Sequence, residues 1–214
     1  MLKNAVVVNQ TLECITPIWS EPDLINHLGV LYGACFTSDT SDYEKNKRRV
    51  LTSIKKGHQS PLEHIFIGLK IVVDRATAYA LIRHRHCAFT QQSTIYTKFK
   101  EVQVIELPAE DPYYTGYKYS SLDERAIDTA AEEYTAMIES GVRPGIARDV
   151  LPNCLATTLY MTTNLRQWFY ILNLRKDPAD SPRMHMFISQ LDAFLKGNYP
   201  ILYEALAKDL YVKA

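Results

Sequence analysis

The sequence predicts one α+β domain, in which a few short strands accompany many helices. The chain has 214 residues, 47% of them hydrophobic and 22% charged, which is the make-up of a globular domain with its own core. Apolar residues recur at helical spacing over most of the length, whereas few segments have the pattern of a strand. No internal repeat, low-complexity tract or change in composition marks a linker, so residues 1–214 are predicted to form a single domain.

Local signals are clearest in the first third of the chain. Residues 5–8 read as a short strand, and Pro22 with Asp23 opens an amphipathic helix. Residues 42–56 are predicted to form a charged helix, which Gly57 ends. The first of these helices follows the strand at residues 5–8, which favours a mixed fold.

The middle of the chain contains the most apolar run, residues 65–73. It is predicted to be a strand buried on both faces, and it is too short to cross a bilayer as a helix. Asp74 can cap the next helix, which is expected to continue into Arg83. Residues 102–107 are a further predicted strand.

The second half is predicted to be helical. Residues 122–140 form a long helix, and Pro144 begins a short one. Thr163 or Asn164 caps the next helix, and Pro182 begins the last pair.

Charge and cysteine content restrict the possible partners. Lys plus Arg and Asp plus Glu both total 24, so no global basic field attracts nucleic acid or an anionic membrane surface. The four cysteines have no CxxC spacing, and the N-terminus has no basic and apolar leader. We therefore expect a cytoplasmic protein without a membrane span, a nucleic-acid partner or a bound metal.

The strongest candidate for a functional site is a basic triplet, Arg83, His84 and Arg85, followed by seven residues and Ser93. Successive residues on a helix point roughly 100° apart, so at least one of the three is expected to have a protein partner. Cations that complement a helix dipole are an alternative explanation. The following segment, residues 90–94, offers hydroxyl and amide groups suited to ligand oxygens and a base edge, which favours a nucleotide pocket.

Other cationic residues can contribute to such a pocket. Arg166, Tyr170 and Asn173 fall at i, i+4 and i+7 on one helix face. Arg175 lies nine residues after Arg166, on the opposite side, so the two arginines can serve different sites. Arg148 lies among apolar residues and requires a partner, which can be a ligand or a nearby carboxylate.

Together these motifs resemble the flavin-dependent thymidylate synthase family, whose signature is Arg-His-Arg, seven residues, then Ser. Residues 58–64 resemble the family segment His-x-Ser/Thr-Pro-x-Glu-His, and residues 147–152 resemble Ala-Arg-x-x-Leu-Pro. Residues 164–166 and 172–175 resemble its Asn-x-Arg and Leu-x-x-Arg pair. The order and spacing agree over about residues 35–203.

The resemblance implies a small, mostly antiparallel sheet flanked by helices, in a homotetramer with FAD at the subunit interfaces. NADPH would reduce the flavin, and methylenetetrahydrofolate would give one carbon to C5 of dUMP, producing dTMP. The resemblance implies these FAD contacts: Ser60, Glu63, Arg83, His84, Arg85, Gln91, Asn164, Arg166 and Tyr170. It implies these nucleotide contacts: Arg83, Gln91, Gln92, Ser93, Arg148 and Arg175.

Arg175 is the expected catalytic residue. A uracil becomes nucleophilic at C5 when negative charge on the ring is stabilised, and a fixed guanidinium in a site without water provides that stabilisation. Ser93 is expected to form hydrogen bonds rather than to act as a nucleophile, because no general base can be assigned to it.

The chain departs from the family pattern where the nucleotide should bind. Ile95 replaces an arginine expected at the substrate phosphate, and Lys98 or Arg148 could compensate. Ala80 stands where relatives often have Gln, and Cys35 where they commonly have Ser. Weaker dUMP binding, or a different pyrimidine nucleotide such as UMP or dCMP, is therefore a second hypothesis.

Three alternatives belong to other classes. A metal site could use His58, His64, His84, His86 and Cys87, although their spacing is not a common zinc pattern. A nucleic-acid-binding module could use the triplet with tyrosines as stacking platforms, although the zero net charge disfavours it. A family member that binds flavin or nucleotide without turnover is the closest rival.

Overall fold

The computed structural model describes residues 2–34, 38–114 and 124–208. Its strands are β1 (Ala5–Val8), β2 (Thr11–Cys14), β3 (Phe66–Asp74), β4 (Cys87–Gln91), β5 (Val102–Ile105) and β6 (Ala156–Asn164). Its helices are α1 (Glu21–Ala34), α2 (Tyr43–Lys55), α3 (Arg75–Leu81), α4 (Glu124–Glu139), α5 (Pro144–Ala147), α6 (Leu165–Leu174), α7 (Pro182–Asn198) and α8 (Pro200–Leu206). Ser60–His64 and Arg148–Val150 form short 3-10 helices.

The main sheet has four antiparallel strands in the order β2-β3-β6-β4. Its centre is the long pair β3 and β6, which runs in register from Phe66 opposite Asn164 to Asp74 opposite Ala156. A separate parallel pair joins β1 to β5, and one bridge connects Val104 to Leu155. The predicted α+β class, with a small and mostly antiparallel sheet flanked by helices, is confirmed.

Two hydrophobic cores support this arrangement. The larger one packs α1, α2, α6, α7 and α8 with the apolar face of β3 and β6. Trp168 of α6 is fully buried there, and its indole N–H donates to the Ile67 carbonyl at 3.0 Å. The smaller core lies between β1, β5, α4 and α5. Burial of α6 in the larger core leaves Arg166 and Tyr170 facing outward, towards the cavities described below, whereas the Asn173 side chain donates to the Leu206 carbonyl and accepts from the Lys208 N–H.

Side-chain caps fix the starts of three helices that matter for the site. The Asp42 carboxylate accepts from the backbone N–H of Lys45, and the Asp74 carboxylate accepts from Thr77. The Asn164 side chain accepts from the backbone N–H of Gln167. These contacts confirm the predicted caps at Asp74 and Asn164. Gly57, which ends α2, has a φ of 84°, a conformation that glycine adopts without strain.

The prediction that the second half is helical throughout was wrong, because β6 is the strand next to β3 in the centre of the sheet. Strands β2 and β4 were also missed. Helix α3 ends at Leu81, so Arg83 lies beyond it and not on it. β3 buries one face completely, but Phe66 on the other face is 59% exposed, so it is not buried on both faces.

Some expectations fall outside the described residues. Cys35 and the first two residues of the helix predicted at 122–140 are among them. Within the described ranges, no helix combines the length and the apolar character that a membrane span requires.

Candidate functional site

The basic triplet forms a turn between α3 and β4. Arg83 and Arg85 are exposed, whereas His84 is only 7% exposed, and its backbone N–H donates to the Leu81 carbonyl at 3.0 Å. The turn is short because β4 begins at Cys87, which pairs with Thr163 of β6. The turn therefore presents two guanidinium groups outward around one buried imidazole.

Arg175, at the end of α6, is held by three different acceptors. Its Nε donates to His84 Nε2 at 3.2 Å, its Nη1 to the Asp180 carboxylate at 3.2 Å, and its Nη2 to the Ala80 carbonyl at 3.0 Å. The Arg175 side chain is 17% exposed. A guanidinium has five N–H groups, so in the described structure one N–H on Nη1 and one on Nη2 remain for a ligand.

The hydrogen bond from Arg175 requires a neutral His84, because Nε2 must be unprotonated to accept it. Burial, together with the guanidinium groups of Arg175 and Arg83, lowers the pKa of His84 to about 4. Burial raises the pKa of Asp180 above its usual range, although the Arg175 guanidinium opposes that effect. At neutral pH the site therefore contains a neutral imidazole beside a fixed guanidinium.

Two neighbouring cavities open on this turn. The Arg175 cavity has a volume of about 430 Å³. It is lined by Arg83, His84, Tyr170, Leu174, Arg175, Asp177, Ala179 and Asp180. The Arg166 cavity has a volume of about 490 Å³. It is lined by Glu63, Arg83, His84, Arg85, His86, Asn164, Arg166, Gln167 and Tyr170. The two cavities share Arg83, His84 and Tyr170, and both lie in the size range of small-molecule sites.

The Arg166 cavity collects most of the residues predicted to contact FAD. Arg166 donates to the Glu63 carboxylate, and each side chain of this ion pair is about half exposed. The Tyr170 ring is 55% exposed and meets the His84 ring edge-on at 6.2 Å between centroids. Ser60 and Gln91 are the two expected FAD contacts that do not line this cavity.

A third cavity, the Arg148 cavity, has a volume of about 240 Å³. It is lined by Arg75, Tyr79, Thr94, Arg148, Asp149, Leu151, Pro152, Asn153 and Leu155. Arg148 donates from Nη1 to Thr94 Oγ1 at 3.2 Å, so its side-chain hydrogen-bond partner in the described structure is a hydroxyl and not a carboxylate.

The segment before Thr94 continues the edge strand β4. Gln91 donates from its side chain to Thr157 Oγ1 at 3.3 Å, and the backbone N–H of Gln92 donates to the Thr158 carbonyl at 2.9 Å. Ser93 Oγ accepts from the backbone N–H of Ile95 at 3.1 Å. The Arg148 and Arg175 cavities have no lining residue in common. Of the expected nucleotide contacts, Arg83 and Arg175 line the Arg175 cavity and Arg148 lines the Arg148 cavity, whereas Gln91, Gln92 and Ser93 line neither.

Several site residues escaped the sequence analysis. Asp177 and Asp180 line the Arg175 cavity, and Arg75 lines the Arg148 cavity beside Thr94, which belongs to the predicted segment 90–94. An acid five residues after an arginine is a signal that could have identified Asp180. Arg75, directly after the cap Asp74, could have been noticed as a charge at the end of a buried strand.

The groups around the Arg166 cavity fit FAD. Three guanidinium groups, from Arg83, Arg85 and Arg166, face one carboxylate, that of Glu63, and guanidinium pairs well with a pyrophosphate. The exposed ring of Tyr170 offers a face for a planar ring system. Within the described residues, no group of three His, Cys, Asp or Glu side chains could hold a metal ion.

Comparisons with known proteins agree with these features. A family model described as "Thymidylate synthase complementing protein" matches residues 23–200. The flavin-dependent thymidylate synthase of Kosmotoga olearia is 28% identical over 195 residues, which are 85% of this chain and 83% of the relative. The protein of the same name from Geobacter sulfurreducens is 33% identical over 148 residues, which are 69% of this chain and 63% of the relative.

A solved structure has the same fold. It is the UMP/dUMP methylase PolB from Streptomyces cacaoi, bound with 5-Br dUMP. The TM-score is 0.75 at 23% identity, and the match covers 94% of this chain and 96% of that one. The same protein bound with 5-Br UMP matches with a TM-score of 0.73 at 21% identity.

Proposed function

We propose that this chain, which belongs to the flavin-dependent thymidylate synthase family, methylates C5 of dUMP to produce dTMP. The enzymes of this family are methyltransferases that use FAD, with NADPH and methylenetetrahydrofolate in the reaction. The proposal for this chain assigns dUMP as the substrate and Arg175 as the residue that stabilises the activated uracil.

The fixed guanidinium of Arg175 is the observation that carries the proposal. Its three partners, His84, Asp180 and Ala80, hold its plane, while two N–H groups remain for a ligand in the described structure. Donors that are already in place before charge develops need no reorganisation at the moment of reaction. Negative charge on a uracil ring in the Arg175 cavity would therefore be stabilised, and C5 would become nucleophilic.

His84 supports this role by staying neutral. An imidazolium at this position would repel Arg175 and could not accept its Nε–H. The low pKa of His84, about 4, prevents that state at neutral pH. Ser93 fits the hydrogen-bonding role, because its Oγ accepts two backbone N–H groups, from Ile95 at 3.1 Å and Tyr96 at 3.3 Å.

Cofactor binding is assigned to the Arg166 cavity. Arg83, Arg85 and Arg166 would hold the pyrophosphate of FAD, and Tyr170 would pack against a ring. When bound, FAD would supply the hydride chemistry of the reaction, with NADPH as its reductant. The residues shared between the Arg166 and Arg175 cavities, Arg83, His84 and Tyr170, would bring the two ligands together.

We assign the assembly to a homotetramer with composite sites. Ser93 and Arg148 do not line the Arg175 cavity of their own chain, and a second subunit would bring its Ser93 and Arg148 to a nucleotide bound there. Large apolar side chains are exposed around the cavities, as expected for surfaces that another subunit covers. They are Phe66, Ile82, Tyr170 and Leu174.

A second candidate substrate is UMP. PolB, which has the same fold, is a methylase of both UMP and dUMP. UMP and dUMP carry the same base and phosphate and differ only at the 2′-hydroxyl, so Ile95, at a position where the family usually has arginine, would lower the affinity for both alike.

The test is to incubate the FAD-loaded protein with NADPH, methylenetetrahydrofolate and dUMP, UMP or dCMP, and to analyse products by mass spectrometry. We expect dTMP from dUMP, and none when folate is omitted. A methylated product from UMP with none from dUMP would replace the proposed substrate. Bound flavin with no methylated nucleotide would support the rival hypothesis of a member without turnover.

A further inference from the structure

The Arg148 cavity contains a second guanidinium, that of Arg75, which belongs to none of the motifs that define the family resemblance. Arg75 is the first residue of α3, and its backbone N–H donates to the Leu155 carbonyl at 3.0 Å. This bond attaches the start of α3 to the turn that follows Arg148. Arg75 and Arg148 therefore reach the same cavity from two elements that are joined at the backbone.

The guanidinium of Arg75 is only partly satisfied. Its Nε and Nη2 both donate to the Tyr79 hydroxyl, at 3.2 and 3.0 Å, and its central carbon lies 5.1 Å from the centre of that ring. Its Nη1 is buried and has no acceptor in the described structure. A buried N–H group without an acceptor is unfavourable, so Nη1 would gain from an acceptor brought by a ligand.

The remaining polar groups of the Arg148 cavity suit an anion. Arg148 donates to Thr94 Oγ1, and the Thr94 hydroxyl retains its own proton for donation to a ligand oxygen. Thr94 is 6% exposed, which keeps this hydroxyl in place. Asp149 also lines the cavity, so two guanidinium groups face one carboxylate and the cavity is cationic.

Ile95 places no charge in this cavity. The Ile95 side chain packs against α5 at Gly145, where a Cβ in place of the glycine hydrogen would lie only 3.4 Å from Ile95 Cγ2. Lys98 is exposed and does not line the cavity among the described residues. Arg75 is therefore the second cation that the described structure places beside Arg148.

We propose that Arg75 and Arg148 together bind the 5′-phosphate of the pyrimidine nucleotide, and that Arg75 replaces the guanidinium missing at position 95. This inference rests on the proposed function, because it assigns one part of that substrate. A phosphate dianion accepts two parallel N–H bonds from one guanidinium, which Arg75 can provide from Nη1 and the second N–H of Nη2, and the remaining N–H groups of Arg148 can donate to the other phosphate oxygens. Arg75 is thus a determinant of affinity for phosphorylated substrates.

The experiment measures binding of dUMP and of deoxyuridine, which lacks the phosphate, to the FAD-loaded protein by titration calorimetry. Arg75→Gln and Arg148→Gln should each weaken dUMP binding by about 10- to 100-fold, as expected for a lost charge-assisted hydrogen bond. Deoxyuridine affinity should not change. Arg125→Gln, an equal change at an exposed residue of α4, and Lys98→Gln should leave both affinities unchanged.

Arg75→Lys tests whether the planar fork matters. Lysine keeps the charge but not the fork, so its dUMP affinity should lie between those of the wild type and Arg75→Gln. Thermal unfolding of each variant shows whether a loss of dUMP affinity comes from misfolding. If Arg75→Gln is misfolded, the dUMP affinity of Arg75→Lys tests the inference in its place. A wild-type preference for dUMP over deoxyuridine that Arg75→Gln leaves intact would overturn the inference and leave the proposed function standing.

A wild-type protein that binds no pyrimidine nucleotide would instead overturn the proposed function. Inorganic phosphate, followed by ³¹P NMR, then tests the cavity alone. Phosphate binding that Arg75→Gln abolishes would support an anion site with another phosphomonoester as its ligand. No phosphate binding to the wild type would overturn both the inference and the proposed function.

Discussion

Acidification should break the contact between His84 and Arg175, and the resulting loss of stability follows from the pKa of His84. Burial and two guanidinium groups lower this pKa from 6.5 to about 4. Between these values an unfolded chain holds a proton at position 84 and the folded chain does not. Stability from this residue is therefore complete above pH 6.5 and is lost as the pH falls towards 4. A pKa difference of about 2.5 corresponds to about 3 kcal/mol.

The assay compares urea unfolding of the wild type and His84→Asn from pH 7 to pH 4. Asparagine offers a carbonyl oxygen to Arg175 and does not titrate, so the difference between the two curves isolates His84. The wild type should lose up to about 3 kcal/mol more than the variant over this range. Protein concentration must be equal in all samples, because the stability of an oligomer depends on it.

If the unfolding free energies of the wild type and His84→Asn changed equally with pH, His84 would not have the low pKa that the folded structure gives it. An independent check is the side-chain NMR titration of His84, whose midpoint should lie near pH 4. A midpoint near 6.5 would mean that the imidazole is not held neutral by burial and by the guanidinium groups of Arg175 and Arg83.

Substitutions at three further positions test the site. Arg175→Lys keeps a charge but loses the N–H bonds to His84 and to the Ala80 carbonyl, so kcat should fall about 10²- to 10³-fold in steady-state assays; an unchanged kcat would exclude the assigned role. Tyr170→Leu should weaken flavin binding about two- to tenfold without lowering the Tm, whereas Tyr170→Phe should retain it; equal retention by both variants would count against ring packing. Asn164→Ala should lower the free energy of unfolding by about 1 kcal/mol, because it removes the cap of α6, and Asn164→Ser should recover most of that stability. If Asn164→Ser also restores flavin binding, Asn164 acts on the flavin through the cap alone.

Elements with strong local signals were predictable from the sequence. Helix α2 lies between a capping aspartate, Asp42, and Gly57, whose positive φ ends the helix, and both residues act through nearby backbone atoms. Asn164 likewise caps α6 through a bond three residues away. Such signals depend on neighbours in the chain, so they can be recognised without knowledge of the tertiary structure.

The missed strands depend on distant partners. β6 contains several threonines and no strict alternation, and it is a strand because β3 and β4 pair with its two edges. Strand preference is set largely by such neighbours. The error at Arg83 has the same origin, because β4 must pair with β6 and the chain therefore leaves α3 early.

The sequence predicted the types of residue in the site better than it predicted which of them share a cavity. The resemblance assigned seven residues that the Arg166 cavity brings together, from Glu63 to Tyr170. It did not indicate that Arg148 and Arg175 lie in separate cavities, because sequence order carries no information about which surfaces adjoin. Arg75 and Asp180 were missed although each has a partner nearby in the chain, Tyr79 and Arg175, because only the fold shows the cavities that they line.

The most direct test of the proposed function follows a labelled carbon. The FAD-loaded protein is given NADPH, dUMP and methylenetetrahydrofolate that carries ¹³C in its transferable carbon, and the nucleotide is examined by NMR. We expect ¹³C in the methyl group at C5 of dTMP, and its loss in Arg175→Lys. Flavin-loaded protein that transfers no label to dUMP or UMP would contradict the assignment of this site as a C5 methylation centre.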